Sequence, residues 1–292
     1  MSARQPQAAA SAPAPSPAAV APPAAAAASS AAAAAPFDSR RAGPLTRHAC
    51  GPAPRAFTGL PARCEALDWP RIGEDLDAHG CAIVPGLLTP EECVRLAGAY
   101  AKPDLFRSRV VMERHGFGKG EYQYFAYPLP GPIAELRAAL YPPLAHIANR
   151  WYQAMQLEPR FPAGHEEFIA RCHTAGQARP TPLLLQYRAG DYNCLHQDLY
   201  GEHVFPLQAA VLLSQPGADY EGGEFVLTEQ RPRMQSRAEV VPLEQGGMVI
   251  FPVFHRPVSG ARGVYRVNMR HGVSRLRSGA RHTLGIIFHD AT

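Results

Sequence analysis

A histidine and an aspartate two residues apart, His196 and Asp198, are the side chains with the clearest chemical potential in this sequence. In an extended strand, side chains two residues apart project from the same face, so the imidazole and the carboxylate would lie side by side, with Gln197 turned to the other face. Two of the three protein ligands of a 2-His-1-carboxylate site for non-heme Fe(II) have this arrangement. The pattern H-x-D is common by itself, so an iron site also requires a second histidine from elsewhere in the chain.

Two downstream histidines, His255 and His271, could supply that ligand. His255 follows an apolar segment, where a barrel strand would open into its loop. His271 lies in a basic stretch, and Arg281 follows ten residues later at the start of the last apolar segment. An iron site that takes a 2-oxo acid needs a buried cation for the distal carboxylate of that acid, and the planar guanidinium of arginine can bind a carboxylate through two hydrogen bonds. Both histidines remain candidates on these grounds.

The elements that would position these residues are short strands, which begin at about residue 183. Clusters of Gly, Pro and Asp separate the apolar segments at intervals of about ten residues. About eight strands with this spacing are typical of a jelly roll of the cupin type. The predicted strands are 183–188, 194–199, 207–214, 224–228, 239–243, 248–253, 264–269 and 283–289.

The region before these strands is predicted to form a helical scaffold layer. Thr89, Pro90 and Glu92 provide an N-cap, a proline at the first helical position and a capping-box partner. Pro142-Pro143 should break or kink a longer helix. The predicted fold class is therefore α+β, a double-stranded β-helix (jelly-roll, cupin-like) core with an N-terminal helical layer. Helices are predicted at 69–79, 89–101, 132–156 and 164–173, with a short strand at 81–84.

A segment rich in glycine and aromatic residues, HGFGKGEYQYFAYPLP at 115–130, lies between two of these helices. Its aromatic side chains could line the mouth of a substrate site, or they could fill a strand and its turn. Lys119 stands close to two glycines as a mobile cation that would suit an anionic partner. Lys119, Tyr122 and Tyr124 are therefore the candidate substrate-binding residues.

Composition divides the chain into a tail and a domain. Residues 1–43 consist mainly of Ala, Pro and Ser, and their prolines interrupt any helix that the alanine runs could start. This composition predicts a disordered tail. A connecting arm is expected at 44–67 and one catalytic domain at 68–292, with the helical scaffold and substrate loop at 68–182 and the jelly-roll core at 183–292.

Charge and cysteine usage restrict the partners and the compartment. The net charge is +4, and no acidic residue lies between Glu244 and Asp290. The scattered cysteines, without a C-x-x-C pair, are typical of reduced thiols, and no apolar run is long enough to span a membrane. We expect a cytoplasmic protein without a membrane partner, and the sequence makes no prediction of the oligomeric state. Seven arginines in the acid-free segment would suit nucleic acid: Arg256, Arg262, Arg266, Arg270, Arg275, Arg277 and Arg281.

Taken together, His196-x-Asp198, His271 and Arg281 resemble the Fe(II)/2-oxoglutarate-dependent dioxygenases. Gly222-Gly-Glu-Phe225 is similar to a turn and strand common in the prolyl-hydroxylase branch of that superfamily. The pattern from YRAGDYNCLHQD to HGVSRLRSGARHTLGIIFHD resembles a bacterial group labelled as oxygenases for oxidative demethylation of damaged DNA. The resemblance covers about residue 183 to the C-terminus.

This resemblance implies a ligand set, a co-substrate and a reaction. His196, Asp198 and His271 would bind catalytic Fe(II), while Arg281 would bind the distal carboxylate of 2-oxoglutarate. His255 then has no ligand role. O₂ would be the second co-substrate, with ascorbate as a further candidate cofactor, and the product would be a hydroxylated C–H group. Hydroxylation of an N-methyl group gives a hemiaminal that loses formaldehyde. Three further residues would contact the co-substrate: Tyr187, Gln208 and Thr283.

Two alternatives remain. The well-known DNA-dealkylating enzymes place two arginines around an Asn and a Thr, whereas Arg281-His-Thr-Leu-Gly285 has one Arg and no Asn. Hydroxylation of prolyl or other side chains in a protein or peptide is therefore an alternative to demethylation of alkylated nucleic acid. The non-enzymatic alternative is a cupin-like barrel that binds metal for structure or sensing, which would not need Arg281.

Overall fold

The computed structural model describes residues 59–292 except Pro159 and Arg262, so the predicted tail and most of the predicted arm lie outside the described residues. The α-helices are α1 (Leu60–Glu65), α2 (Trp69–His79), α3 (Pro90–Gly98), α4 (Gly131–Ala154) and α5 (His165–Thr174). The strands are β1 (Ala82–Val84), β2 (Phe106–Val111), β3 (Gly118–Lys119), β4 (Glu121–Phe125), β5 (Leu183–Arg188), β6 (Tyr192–His196), β7 (Leu207–Leu212), β8 (Tyr220–Gly222), β9 (Phe225–Gln230), β10 (Ser236–Val241), β11 (Met248–Pro252), β12 (His255–Gly260), β13 (Gly263–Val273) and β14 (Leu276–Ile286).

Eight of these strands form the core of a jelly roll. Strands β11, β7, β14 and β5 lie side by side in one antiparallel sheet, and β10, β9, β13 and β6 lie side by side in a second. The chain crosses between the two sheets at most of its turns, which is the connectivity of a double-stranded β-helix. The predicted fold class is confirmed.

Additional strands extend both sheets at their edges. Strand β1 pairs with β11, and β4 and β2 continue the first sheet beyond β5. Strand β3 pairs with β6 in the second sheet. The glycine- and aromatic-rich segment therefore contributes strands to both sheets, and its β3 pairs with Tyr192 and Asn193 at the start of β6.

The helices cover the outer face of the first sheet. All six residues of β7 are buried, because helices cover one face of that strand and the interior of the barrel covers the other. Ala209 and Val211 belong to the same apolar cluster as Leu140, Leu144 and other residues of α4. The scaffold layer thus stabilises the strands that carry one wall of the barrel.

Helix α4 runs through Pro142 and Pro143 without interruption, so of the predicted break or kink the break does not occur. An internal proline costs about 3 kcal/mol in a helix. Leu140 and Leu144, on either side of the prolines, are fully buried, and burial of each such side chain contributes roughly 1.5–3 kcal/mol. The two prolines together cost about 6 kcal/mol, and burial of these leucines with Leu136, Ile147 and Trp151 of the same helix outweighs that penalty.

Three boundaries differ from the predictions in ways that matter for the site. Strand β13 continues to Val273, which places His271 within a strand. Strand β14 begins at Leu276, so Arg281 lies in its middle. Helix α1 falls inside the predicted connecting arm, and its Leu60 is fully buried.

Within residues 59–292, no helix is both long enough and apolar enough to cross a membrane.

Candidate active site

Two side chains from neighbouring strands and a third from the segment after β6 converge inside the barrel. His271 on β13 stands directly opposite His196 at the end of β6, and the centroids of the two rings are 4.2 Å apart. Asp198 follows β6 and places Oδ1 3.4 Å from His196 Nε2 and Oδ2 3.3 Å from His271 Nε2. One ligand atom from each residue lies within 4.8 Å of the others. Two imidazoles and one carboxylate on one face are the donor set of a non-heme iron site.

Backbone contacts orient this H-x-D segment. His196 Nδ1 lies 2.8 Å from the carbonyl oxygen of Cys194, and a proton on Nδ1 leaves Nε2 free as a ligand. Gln197 donates to the carbonyl oxygens of Met269 at 2.8 Å and Phe254 at 3.3 Å. These bonds explain why the side chain between the two candidate ligands is held apart from them, as the strand geometry predicts.

The charge states of the three residues suit a divalent cation. Burial opposes ionisation of Asp198, but hydrogen bonds from His196 and His271 outweigh it and hold the pKa of the carboxyl well below its usual range. Burial and the neighbouring His196 lower the pKa of His271, so this imidazole stays neutral. Burial lowers the pKa of His196 too, yet the hydrogen bond with Asp198 outweighs it and leaves the pKa raised. The cluster therefore offers one anionic oxygen ligand and a neutral nitrogen ligand.

Two polar side chains contact the carboxylate of Asp198. The Tyr200 hydroxyl donates to Oδ1 at 2.7 Å, and Gln208 Nε2 donates to Oδ2 at 3.0 Å. Burial, followed by the negative charge of Asp198, raises the pKa of Tyr200 far above its usual range, so the phenol remains a donor. Each oxygen of the carboxylate thus has one hydrogen-bond donor besides the two histidines.

A cavity of about 340 Å³ joins this cluster to Arg281. Gly116 and Phe117 line one part of it, and apolar side chains such as Leu185, Phe251 and Val273 line its walls. Such a cavity lies within the usual size range of ligand sites, which combine apolar walls with a few converging polar groups.

Arg281 provides a buried cation in this cavity. Its side chain is 1% exposed, and Nη1 donates to Thr283 Oγ1 at 2.6 Å. Its guanidinium carbon lies 5.7 Å from the centre of the Tyr187 ring and 5.9 Å from that of Tyr220. None of the carboxylates in the described part of the chain forms an ion pair with it. Burial raises the pKa of the Tyr187 phenol to about 12, so this group is neutral.

Several buried polar atoms around the cavity have no hydrogen-bond partner among the described residues. They are the Tyr187 hydroxyl, Gln208 Oε1, His271 Nδ1 and Arg281 Nε. Buried polar groups are normally satisfied, so a concentration of unsatisfied ones indicates that a polar ligand completes the site. The donor set fits a divalent metal beside His196, Asp198 and His271, and the isolated guanidinium fits an anionic ligand.

The family comparison agrees with this geometry. The family described as "Oxygenase, catalysing oxidative methylation of damaged DNA" matches residues 120–291 of the chain. The chain belongs to this family of oxygenases. Two uncharacterized proteins of Mycobacterium tuberculosis, from strains CDC 1551 and H37Rv, are each 49% identical over 167 residues, which cover 57% of this chain and 72% of theirs.

Solved structures with a similar fold include two from bacteria. A prolyl-4-hydroxylase of Pseudomonas putida is 15% identical, with a TM-score of 0.43 over 74% of this chain and 96% of that one. A 2OG-Fe(II) oxygenase family oxidoreductase of Burkholderia pseudomallei is 14% identical, with a TM-score of 0.47 over 77% of this chain and 93% of that one.

Only part of the predicted set of substrate-binding residues, Lys119, Tyr122 and Tyr124, lies at the cavity. Tyr122 lines the cavity. Tyr124 is buried on β4, edge-on to Tyr122 at 5.3 Å between ring centres. Lys119 is an exposed residue of β3 whose Nζ lies 3.4 Å from a carboxylate oxygen of Glu113. Lys119 is therefore not a free cation, and it does not line the cavity.

The other candidate ligand, His255, begins β12 and pairs with Asn268 of β13. It takes no part in the His–Asp–His cluster of the described residues. Gln208, predicted to contact a co-substrate, lies against Asp198 and also lines the cavity.

The acid-free segment does not present all of its arginines to solvent. Arg256 is buried, donates to the carbonyl oxygen of Asp77 at 2.8 Å and pairs with Glu229. Arg281 lies in the cavity. The described arginines that stay exposed include Arg266 and Arg270 on β13. Some of the arginines that the sequence suggested for nucleic-acid binding are therefore buried inside the oxygenase.

Sequence reasoning missed Tyr200 as a residue of the site, and it placed Phe117 only among the aromatic residues that could line a substrate mouth. Tyr200 contacts Asp198, and the only local signal for this is its position two residues after the aspartate. Phe117 is 49% exposed, lines the cavity and stacks on His115 with ring centres 5.3 Å apart. Its position at the cavity depends on the pairing of β3 with β6, which local sequence does not reveal.

Proposed function

We propose that this oxygenase uses Fe(II) and 2-oxoglutarate to hydroxylate a C–H bond of its substrate. The observation that carries this proposal is the presence, in one cavity, of a His–Asp–His cluster and a buried arginine without a carboxylate partner among the described residues. A barrel that binds metal for structure or sensing has no need for that second feature.

The residues of the cavity have separate proposed roles in metal binding, co-substrate binding and shielding. His196, Asp198 and His271 would hold the metal, and three protein ligands leave positions for the co-substrate and O₂. Bound iron with 2-oxoglutarate and O₂ supplies the oxidising chemistry, which converts 2-oxoglutarate to succinate and CO₂. The protein binds, orients and shields the reactants.

Arg281 would bind the distal carboxylate of 2-oxoglutarate. Its planar guanidinium already donates to Thr283, and the remaining N–H groups can meet a carboxylate. The neutral Tyr187 phenol, whose hydroxyl has no hydrogen-bond partner in residues 59–292 as described, can donate to the same ligand. The apolar walls around Leu185, Phe251 and Val273 keep water from the reacting centre.

The proposed substrate is an alkylated base in nucleic acid. The family description supports this class, and the exposed Arg266 and Arg270 can contact phosphates. Phe117 and Tyr122 at the cavity can contact a planar base. Oxidation of an N-methyl group would then release formaldehyde.

A protein or peptide side chain is the second candidate substrate. The observation that favours it is the ion pair between Lys119 and Glu113, which leaves the mouth near Phe117 less basic than the sequence suggested. An exposed aromatic side chain beside a locally neutral surface suits an uncharged peptide segment.

We further propose that residues 68–292 form the catalytic domain, with the scaffold and substrate loop at 68–182 and the catalytic core at 183–292. Helix α1 packs on this domain through Leu60 and Cys64. A cytoplasmic location is part of the proposal. Cys81, Cys93, Cys172 and Cys194 are free thiols, as expected in a reducing compartment.

Anaerobic titration with Fe(II) and 2-oxoglutarate tests the metal site. The wild-type chain should develop a metal-to-ligand charge-transfer band, and His271→Ala should abolish it because one imidazole ligand is lost. His255→Ala is the matched control and should keep the band. Loss of the band in His255→Ala but not in His271→Ala would refute the ligand assignment.

A separate assay distinguishes the substrates. Formaldehyde release from methylated oligonucleotides supports demethylation of nucleic acid, whereas a mass gain of one oxygen on proline-containing peptides supports the second candidate. The Asp198→Ala variant should be inactive in both assays, because it lacks a metal ligand.

A further inference from the structure

We propose that Tyr200 is a positioning residue that sets the orientation of the metal ligand Asp198, an inference that rests on the proposed metal site. The Tyr200 hydroxyl donates to Asp198 Oδ1 at 2.7 Å, while Gln208 Nε2 donates to Oδ2 at 3.0 Å. Apart from the two histidines, the carboxylate therefore has one donor on each oxygen.

Two donors on opposite oxygens restrict rotation of the carboxylate about its terminal torsion, which is otherwise broad. When one oxygen ligates a metal, the other oxygen still has a donor that fixes the plane of the group. Outer contacts of this kind determine how well a ligand is aligned before the metal arrives, and their loss typically weakens metal binding 10- to 100-fold. Tyr200 should therefore contribute to metal affinity without touching the metal.

The turn that carries Tyr200 is itself anchored by one buried side chain, Gln177. Its Nε2 donates to the carbonyl oxygens of Tyr200 and His203, both at 3.1 Å, and to that of Asp290 at 2.6 Å. Its Oε1 accepts from the backbone N–H of His203 at 2.7 Å. Gln177 thus links the turn after the H-x-D segment to the end of the chain that follows β14.

Gly201 allows this anchor to approach. Its φ is +86°, and a Cβ built there would lie 2.4 Å from Gln177 Cδ. A side chain at residue 201 would therefore push the turn away from Gln177 and would displace Tyr200 from Asp198. The geometry explains why the turn reads Tyr200-Gly201: the first residue supplies the donor and the second leaves room for the anchor.

Tyr200→Phe tests the proposal, because it removes the hydroxyl and keeps the ring. Metal affinity is measured on the full chain by anaerobic titration with Co(II) alone, and stability by urea unfolding without metal. We expect a 10- to 100-fold weaker Kd for Co(II), measured under conditions in which urea unfolding shows the metal-free variant to be folded. Tyr265→Phe, a half-buried tyrosine outside the cavity lining, is the matched control and should bind Co(II) as wild type does.

Gly201→Ala provides a second variant that keeps the phenol but displaces the turn, and it should also weaken Co(II) binding. Wild-type affinity in Tyr200→Phe would overturn the proposal. An equal loss of affinity in Tyr265→Phe would also overturn it, since the effect would then be general destabilisation. Asp198→Ala separates failure of the metal-site assignment from failure of the Tyr200 proposal. If this variant binds Co(II) as tightly as wild type, the metal-site assignment is wrong, and the role of Tyr200 is refuted with it.

Discussion

Replacement of Arg281 by methionine should make the ligand-free protein more stable while removing its affinity for 2-oxoglutarate. Arg281 is 1% exposed, and its Nε has no hydrogen-bond partner among the residues that the structure describes. It forms no ion pair with any carboxylate in the part of the chain that the structure describes. A buried cation without a counter-charge lowers the free energy of unfolding. Methionine has a similar reach, no charge and an adaptable shape.

The structure allows the size of both effects to be worked out. The charged hydrogen bond to Thr283 contributes about 1.5–3 kcal/mol, and the rings of Tyr187 and Tyr220 add up to about 2 kcal/mol. Desolvation of the cation costs several kcal/mol. Replacement of buried charges by apolar side chains of similar volume often stabilises a protein by about 1–4 kcal/mol, so we expect an increase of roughly 1–3 kcal/mol in the free energy of unfolding. For the ligand, loss of one partner of a buried charge pair costs about 2–5 kcal/mol, which corresponds to roughly 30- to 5,000-fold weaker binding.

Urea unfolding without ligand measures the first effect, and isothermal titration with 2-oxoglutarate in the presence of Co(II) measures the second. The matched control is Arg277→Met. The side chain of Arg277 is 64% exposed and lies 3.8 Å from Glu224, so both quantities should change little. Wild-type affinity of Arg281→Met for 2-oxoglutarate would refute the role of this side chain. A lower free energy of unfolding in Arg281→Met would refute the reasoning about the unpaired cation.

Two further predictions concern a glycine and a buried histidine. Gly223→Ala should lower the free energy of unfolding by about 1–3 kcal/mol and weaken 2-oxoglutarate binding. The reason is that φ of Gly223 is +63° and a Cβ there would lie 2.4 Å from Leu276 Cδ1 and 3.2 Å from Arg281 Cδ. Urea unfolding measures the first effect, and ligand titration measures the second. Burial and the nearby Arg137 lower the pKa of His165 to about 4 from its ordinary value of 6.5. As the pH falls, His165 is therefore protonated in the unfolded chain before it is protonated in the folded protein. The free energy of unfolding should decrease by about 3 kcal/mol between pH 6.5 and 4. In urea unfolding, His165→Gln should show a smaller decrease across that range.

Each of these two predictions has its own control. Gly217 has a φ of +79° with no atom within 4 Å of a built Cβ, so Gly217→Ala tests backbone strain alone and should keep wild-type affinity for 2-oxoglutarate. An equal loss of affinity in Gly217→Ala and Gly223→Ala would contradict the steric argument. A pH dependence of His165→Gln identical to that of wild type would show that this histidine does not contribute to the acid sensitivity.

Much of the architecture was predictable because it depends on local patterns. The capping box of Thr89 and Glu92 forms as the sequence suggests, with Thr89 N–H donating to Glu92 at 2.8 Å. Turn residues at regular intervals indicated the barrel strands. The strand ends were less predictable: β6 stops at His196, and β13 runs on to Val273. Hydrogen bonds to neighbouring strands decide these ends, and the neighbours are distant in sequence.

The substrate side of the site was the least predictable part. Tyr122 lines the cavity, whereas Lys119 pairs with Glu113 and Phe117 occupies the mouth. Residue types in a glycine- and aromatic-rich segment do not reveal which face of which sheet they will join. The pairing of β3 with β6 makes that choice, since it places the backbone of Phe117 beside Cys194.

The sequence by itself determined that His196 and Asp198 could act as a pair, because two-residue spacing sets the direction of side chains along an extended backbone. Only the tertiary structure decided the third member. His271 joins them because β13 pairs with β6 at that register, whereas His255 lies opposite Asn268. The same holds for Tyr200, Gln208 and Arg281, which reach the cavity from separate elements. Local geometry fixes where a side chain points, but the packing of two sheets fixes which side chains meet.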